Sequence, residues 1–348
     1  MKNIYSILFI ALGLFSCQQE EITAEDHLIS YDIEEVPVTE DYTVGALYVV
    51  NNWSSNIEEV PLAGHYLNGD EEAMKQHILW ADSAAIDYFI FRYSYPTVNA
   101  DNDILSAFLN QNTDSLLNFA LRYNFAQMNL TKENTLEGQG KKEDFIQSFK
   151  DMIPYFDQPT YQKVDGKYVV NIIAANQFYC DSLELVYHEL REEMSALGYD
   201  LYLTGEQTGW TPPARFEHYY FNALDAVTFT NMFNNAWYDR HVFLPQSLDQ
   251  HWQYSKDYYM DKEGIELIPT VAPSINPKIS NPNASTYIIE RDTNFFWSIL
   301  NVAKKNIGPS RTIIVNSFND WNFNTQLEPA DSYGSSSLQL LRNQTKKN

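Results

Sequence analysis

Among 348 residues the chain has only two cysteines, Cys17 and Cys180. Two cysteines cannot make a thiolate metal site, and Cys180 has no disulfide partner if Cys17 is acylated, so neither is expected. Positive charge is also scarce: 23 Lys and Arg stand against 46 Asp and Glu, for a formal net charge of −23. With no basic cluster to offset it, such a surface repels phosphate backbones, which argues against nucleic acid as a partner. Glycine is sparse, and neither a Gly-x-Gly-x-x-Gly turn nor a phosphate-binding loop occurs, so nucleotide-binding versions of an α/β fold have no support. No Gly-x-Ser-x-Gly elbow accompanies the serines, which removes the usual sign of an esterase. His65 and His77 are too far apart, and His218, His241 and His251 too scattered, for zinc spacing. Asp70-Glu71-Glu72 lacks the spaced oxygens of a calcium loop and reads as a helix start. No metal or cofactor is expected.

An apolar run long enough to span a bilayer is missing as well. The short one from Ile4 to Leu14, after Lys2, has the form of an export signal. Leu14-Phe15-Ser16-Cys17 follows directly and resembles a lipobox, in which the cysteine becomes the lipidated first residue. An ordinary cleaved signal with an incidental cysteine is the alternative. Residues 18–41 are acidic and aperiodic and resemble the tether of surface lipoproteins. The expectation is an extracytoplasmic protein, anchored at Cys17 to the outer membrane or cell surface, with one large domain over residues 42–345.

Aromatic residues are abundant: 7 Trp, 24 Tyr and 20 Phe. Tyr and Trp offer apolar faces with a polar handle, which suits the C–H faces of sugar rings, although most aromatic residues in any fold belong to its core. Eight short β-rich runs alternate with longer segments, most of helical period. The runs are Ala46–Val50, Tyr88–Arg92, Asn124–Met128, Tyr168–Ile173, Asp200–Leu203, Ala226–Thr230, Glu266–Val271 and Thr312–Asn316. Helical period marks Asp70–Ala85, Lys142–Met152, Ser182–Leu197, Leu248–Lys262 and Thr293–Lys305. Strands alternating with helices imply parallel pairing, and eight of them favour a closed (β/α)8 TIM barrel over a doubly wound open sheet, which would leave edges.

Chemistry in such a barrel sits at the carboxyl ends of the strands. Those ends supply Trp53, Tyr93, Tyr95, Asn129, Asn176, Gln207, Asn231, Asn319, Trp321 and Gln326, a polar and aromatic set suited to a polyhydroxylated ligand. Turn formation is the competing reason for an Asn at a strand end. Glycosidic cleavage generally needs two carboxyl groups, and Glu206, Asp320 and Glu328 are the candidates.

The segment Ser317-Phe318-Asn319-Asp320-Trp321-Asn322-Phe323-Asn324-Thr325-Gln326-Leu327-Glu328-Pro329 resembles the SFNEWxEGTQIEP segment of glycoside hydrolase family 99, the endo-α-mannosidases, and their 71/99-like relatives. Val44–Tyr48, the His77–Ile90 helix–strand unit, Leu224-Asp225-Ala226 and Pro273 to Asp292 follow the family in the same order. The resemblance spans roughly residues 42–340 and implies a barrel that acts on or binds an α-linked glycan such as mannan. In the family both glutamates of NEWxE are catalytic. Asp320 stands at the first and is one methylene shorter; Phe323 stands at the second and cannot donate a proton. A misplacement of about 1 Å can cost about 100-fold in rate, and loss of a proton donor about 100- to 10,000-fold. Two expectations follow. Either Glu206 or Glu328 has taken the acid's role, or the site is a glycan-binding pocket without turnover.

Overall fold

The computed structural model describes residues 31–207, 212, 220–230, 232–235, 243–285 and 287–347. Cys17 and Asn231 lie outside the described residues.

Nine parallel strands form a nearly closed α/β barrel. They are β1 (Thr43–Tyr48), β2 (Tyr88–Ser94), β3 (Asn118–Asn124), β5 (Lys167–Ile172), β6 (Leu201–Gln207), β7 (Ala226–Phe229), β8 (Glu266–Ile268), β9 (Thr270–Val271) and β10 (Thr312–Val315). The two-residue β4 (Lys163–Val164) pairs antiparallel with β5. Helices α1 (Glu71–Ser83), α2 (Asn99–Gln111), α3 (Lys142–Lys150), α4 (Ile153–Phe156), α5 (Leu183–Ala196), α6 (Leu244–Glu263), α7 (Thr293–Lys305) and α8 (Ser336–Thr345) complete the chain.

Pro269 separates β8 from β9. Proline has no N–H for a ladder bond, but its carbonyl still accepts from Ile314 N at 3.0 Å. Below it β8 pairs with β7, and above it β9 pairs with β10. The two short strands therefore act as one stave, and the wall closes as eight.

Helix boundaries follow from local chemistry. Asp70, Ser182 and Asp292 cap α1, α5 and α7 by accepting a backbone N–H three residues on. Gly264 ends α6 with φ of 67°, a left-handed conformation glycine adopts without steric cost. The third strand lies at Asn118–Asn124, six residues before the expected Asn124–Met128, where Ala126–Met128 instead form a 3-10 turn. Its inward Arg122 is the register partner of Arg92 on β2.

Two apolar clusters account for the packing. A large one fills the layer between strands and helices. A small one takes Leu47, Tyr88, Ile90, Ala120, Val169, Tyr202, Ala226, Ile268 and Ile314, drawn from all around the barrel, and fills its interior. Gly45 belongs to this inner face because a Cβ there would lie 2.4 Å from the Tyr88 ring. The acidic stretch from residue 31 is not a free tether. Val36 N donates to Asn301 Oδ1 at 2.7 Å, and Lys304 Nζ donates to Val36 O at 2.6 Å. Tyr31 OH donates to Asp249 Oδ2 at 2.9 Å, so the segment lies along α6 and α7.

Candidate functional site

Side chains alternate across a strand, so counting by twos from the inner apolar layer finds what lines the mouth. Ile90 leads to Arg92, Ala120 to Arg122, Val169 to Asn171, Tyr202 to Glu206, Ala226 to Thr228, Ile268 to Thr270 and Ile314 to Asn316. The apolar barrel is therefore topped by a polar layer. Arg92 and Arg122 are register partners on β2 and β3, as are Arg122 and Asn171 on β3 and β5. Arg122 reaches over β5 to Glu206, with Nε to Oε1 and Nη2 to Oε2 both at 2.5 Å. This bidentate pair braces the mouth and occupies both Glu206 oxygens. Arg92 is held by Asp101 of α2 at 2.7 Å. Thr228 and Thr270 share a hydrogen bond at 2.6 Å, and Asn316 Nδ2 donates to Thr230 O at 2.5 Å.

Beside this layer is a cavity of about 160 Å³, lined by the polar residues Asp320, Asn316, Thr230, Thr270 and Thr325 and by the apolar residues Met232, Phe233, Ala272, Ile275 and Phe323. Burial pushes the Asp320 carboxyl up to about 6. Backbone N–H donors from Asn322 and Phe323 and the charge of Arg122 oppose the rise without cancelling it. Asp320 N donates to Ser317 Oγ at 2.7 Å, which fixes where the side chain leaves the loop. Phe323 carries an exposed ring at the cavity wall, and its carbonyl accepts from Asn276 N at 2.7 Å.

The other candidates separate into three groups. Glu328, Asn319, Trp321 and Gln326 form the buried underside of the Asp320 loop. Glu328, fully buried, accepts from Tyr66 OH and Trp321 Nε1 at 2.7 Å each, and its other oxygen meets His77 Nε2 at 3.1 Å. Asn319 clamps β1 by accepting from Val49 N at 2.7 Å and donating to Val49 O at 3.1 Å. Gln326 donates to Tyr333 OH at 3.0 Å. Trp321 therefore presents its indole to Glu328 and to Trp53 instead of to the cavity.

A second group lies outside the mouth. Tyr93 and Tyr95 pack in the strand–helix layer, Tyr93 edge-on to Tyr155 of α4. Gln207 is buried between Tyr220 and Tyr259, and Asn176 is buried after β5 with neither amide atom hydrogen-bonded. Asn129 is an exposed turn residue at φ of 51°, its amide bonded to Gln127 O at 3.0 Å. The third group is Trp53 alone. It is half-buried and stacked on His65 at 4.6 Å, with its Nε1 tied to Tyr66 O at 2.8 Å, and it keeps part of its ring open to solvent. Arg122, Asn171 and Asn316, absent from the sequence candidates, become visible only once strand register is known.

Nine parallel strands, an apolar interior and an acid-bearing cavity at their carboxyl ends define a TIM barrel of the glycoside-hydrolase type. Solved structures agree. A protein described as glycoside hydrolase-like superposes with a TM-score of 0.85 at 28% identity, over 93% of this chain and 99% of the other. An endo-α-mannosidase of family 99 from Bacteroides thetaiotaomicron gives 0.62 at 14% identity, over 88% and 97%. A family 1 β-glucosidase from Thermotoga maritima gives 0.53 at 8%, over 91% and 100%, a likeness of fold alone. The chain belongs to the family described as glycosyltransferase WbsX, whose model matches residues 58–341, and is related to the family 99 enzymes. No curated protein matches it.

Proposed function

We propose that this is a carbohydrate-active protein whose barrel mouth takes an α-linked glycan, holding the sugar rather than cleaving it by the two-carboxyl route. The observation that carries this is that Asp320 is the one carboxyl among the described residues lining the cavity. Glu206 spends both oxygens on Arg122, and Glu328 is sealed beneath the loop. Hydrolysis through two carboxyl groups across the bond needs a separation of about 5–10 Å with both facing the sugar. Phe323, also lining the cavity, offers an apolar face for a pyranose ring at the position where the family 99 motif that this loop resembles has an acid.

Cleavage is the second reading, and one observation favours it. An Asp320 carboxyl near 6 exchanges its proton close to neutral pH, as a general acid or base must. Incubation with α-mannan and other α-glycans, with reducing ends measured alongside calorimetry, separates the two. The expected result is a calorimetric signal without new reducing ends. Reducing ends that disappear in Asp320→Asn would establish the hydrolase and overturn the binding reading. A glycosylated product instead would follow the transferase description of the family.

The protein is further proposed to be a lipoprotein at the cell surface, supported by the apolar run Ile4 to Leu14 and the Ser16-Cys17 pair that follows it. Cys17→Ser is expected to move it from the membrane fraction to the soluble one. Unchanged partitioning would remove the anchor.

A further inference from the structure

Outside the mouth, a cavity of about 310 Å³ behind the Asp320 loop is within the size range of small-ligand sites and is lined by a buried arginine. Arg291 lines it, largely withdrawn from solvent, and burial pulls its pKa below the usual arginine value. Arg92, Arg122, Arg191 and Arg311 each have a carboxylate within ion-pairing distance, but Arg291 has none among the described residues. Its guanidinium lies over the Tyr333 ring at 4.2 Å, donates to Ser337 Oγ at 3.2 Å and makes a long contact to Asn324 O at 3.4 Å. Five N–H donors are present, so most remain unspent. Glu59, on the same cavity, acts on it electrostatically without forming an ion pair, so the guanidinium keeps donors available to a ligand.

The rest of the cavity suits a carboxylate. Ser336 and Ser337 open α8, whose N-cap, Ser335, makes no side-chain capping bond, so the positive end of that helix faces the same space. The acids present are Glu59, Glu290 and Asp292. Asp292 Oδ1 is engaged by Phe295 N at 2.8 Å, and Glu59 Oε2 by Ser332 Oγ at 2.5 Å. They disfavour a dianion such as phosphate or sulfate, yet their remaining lone pairs are acceptors for hydroxyl groups. One cation surrounded by hydroxyl acceptors matches a ring that carries one carboxylate and several hydroxyls.

We infer that the Arg291 cavity binds a hexuronic acid residue, its carboxylate on the Arg291 guanidinium and its hydroxyls on the acidic rim. Asn324 separates this cavity from the one at Asp320, with Phe323 and Thr325 lining the latter. A glycan crossing that ridge would place an acidic sugar one side of the loop and its neighbour on the other. That the carboxylate arrives on a sugar rests on the saccharide reading of the mouth; the carboxylate site does not.

The test is calorimetry or saturation-transfer NMR with the methyl glycosides of glucuronate and galacturonate, those of glucose and galactose, acetate and inorganic phosphate. The uronides are expected to bind at least about tenfold more tightly than their neutral counterparts and than phosphate, and Arg291→Gln to lose that margin. Asp320→Asn is expected to keep it, so failure of the mouth and failure of this site read out separately. If Arg291→Gln does not fold, Arg291→Lys carries the test: it keeps the charge, loses the planar fork, and is expected to weaken the uronides several-fold. Equal binding of neutral sugars, tighter binding of phosphate, Arg291-dependent binding of acetate without the uronides, or unchanged affinity in the Arg291 variant would each overturn the assignment.

Discussion

Asp320→Asn is expected to make the protein more stable at pH 8 while disabling the site. In the folded chain the carboxyl is raised from 3.8 to about 6, chiefly by burial. Below pH 4 it is protonated in both folded and unfolded states and contributes nothing to their difference. Between about pH 4 and 6 the unfolded chain has lost its proton and the folded chain has not, so stability falls as pH rises. Above about pH 7 the full cost of ionising a buried carboxyl is present, about 3 kcal/mol for a shift of this size. Asparagine does not ionise and keeps an oxygen for the Asn322 and Phe323 N–H groups. Denaturant midpoints for the two proteins should therefore coincide near pH 4 and separate towards pH 8, with the variant the more stable. Parallel pH profiles would mean that Asp320 is not titrating in a desolvated cavity. On the cleavage reading the same change lowers turnover about 100- to 10,000-fold.

Glu328→Ala is expected to cost about 3–5 kcal/mol, the usual loss when one partner of a buried charged network is removed. Three side chains converge on this carboxylate from β1's following loop, from α1 and from the Asp320 loop: Tyr66, His77 and Trp321. The network continues, because His77 Nδ1 meets Tyr48 OH at 2.9 Å. Both ring nitrogens of His77 are thus engaged, Nδ1 by Tyr48 and Nε2 by Glu328. Alanine would strand three buried donors and open a void beneath Trp321. Glu328→Gln fills the void and should recover part of the loss. Urea denaturation followed by tryptophan fluorescence measures both. A cost below about 1 kcal/mol for the alanine variant would show that Glu328 does not hold the loop.

The alternation of strands and helices was readable because each element carries its own period, and α7 begins and ends where its pattern does. Strand β3 begins six residues ahead of its expected start, so Arg122, which reaches Glu206, escaped the candidates read at the strand ends. The direction of a side chain within a loop has no period to reveal it. Asn319, Asp320 and Trp321 are consecutive, yet the first clamps β1, the third is sealed over Glu328, and only the middle one lines the cavity. A resemblance in motif located the loop but not the way its residues face. Arg291 stood in a segment resembling the family's seventh-strand loop, and that no carboxylate among the described residues comes within ion-pairing distance of it is a property of packing that no local pattern records.

The break at Pro269 divides the allegiance of the seventh stave. Below it β8 follows β7; above it β9 and the chain that continues are bonded to β10. The continuation is also stitched to the Asp320 loop, through Asn276 N to Phe323 O and Ser274 Oγ to Asn324 O. Ala272 and Ile275, on this continuation, and Met232 and Phe233, after β7, all line the Asp320 cavity, and Tyr287 OH ties the two segments by donating to Phe233 O at 2.7 Å. A sugar seated there would lie beside the point where the ladder changes partner, a point spanned by the side-chain bonds Thr228–Thr270 and Asn316–Thr230 instead of by a continuous strand.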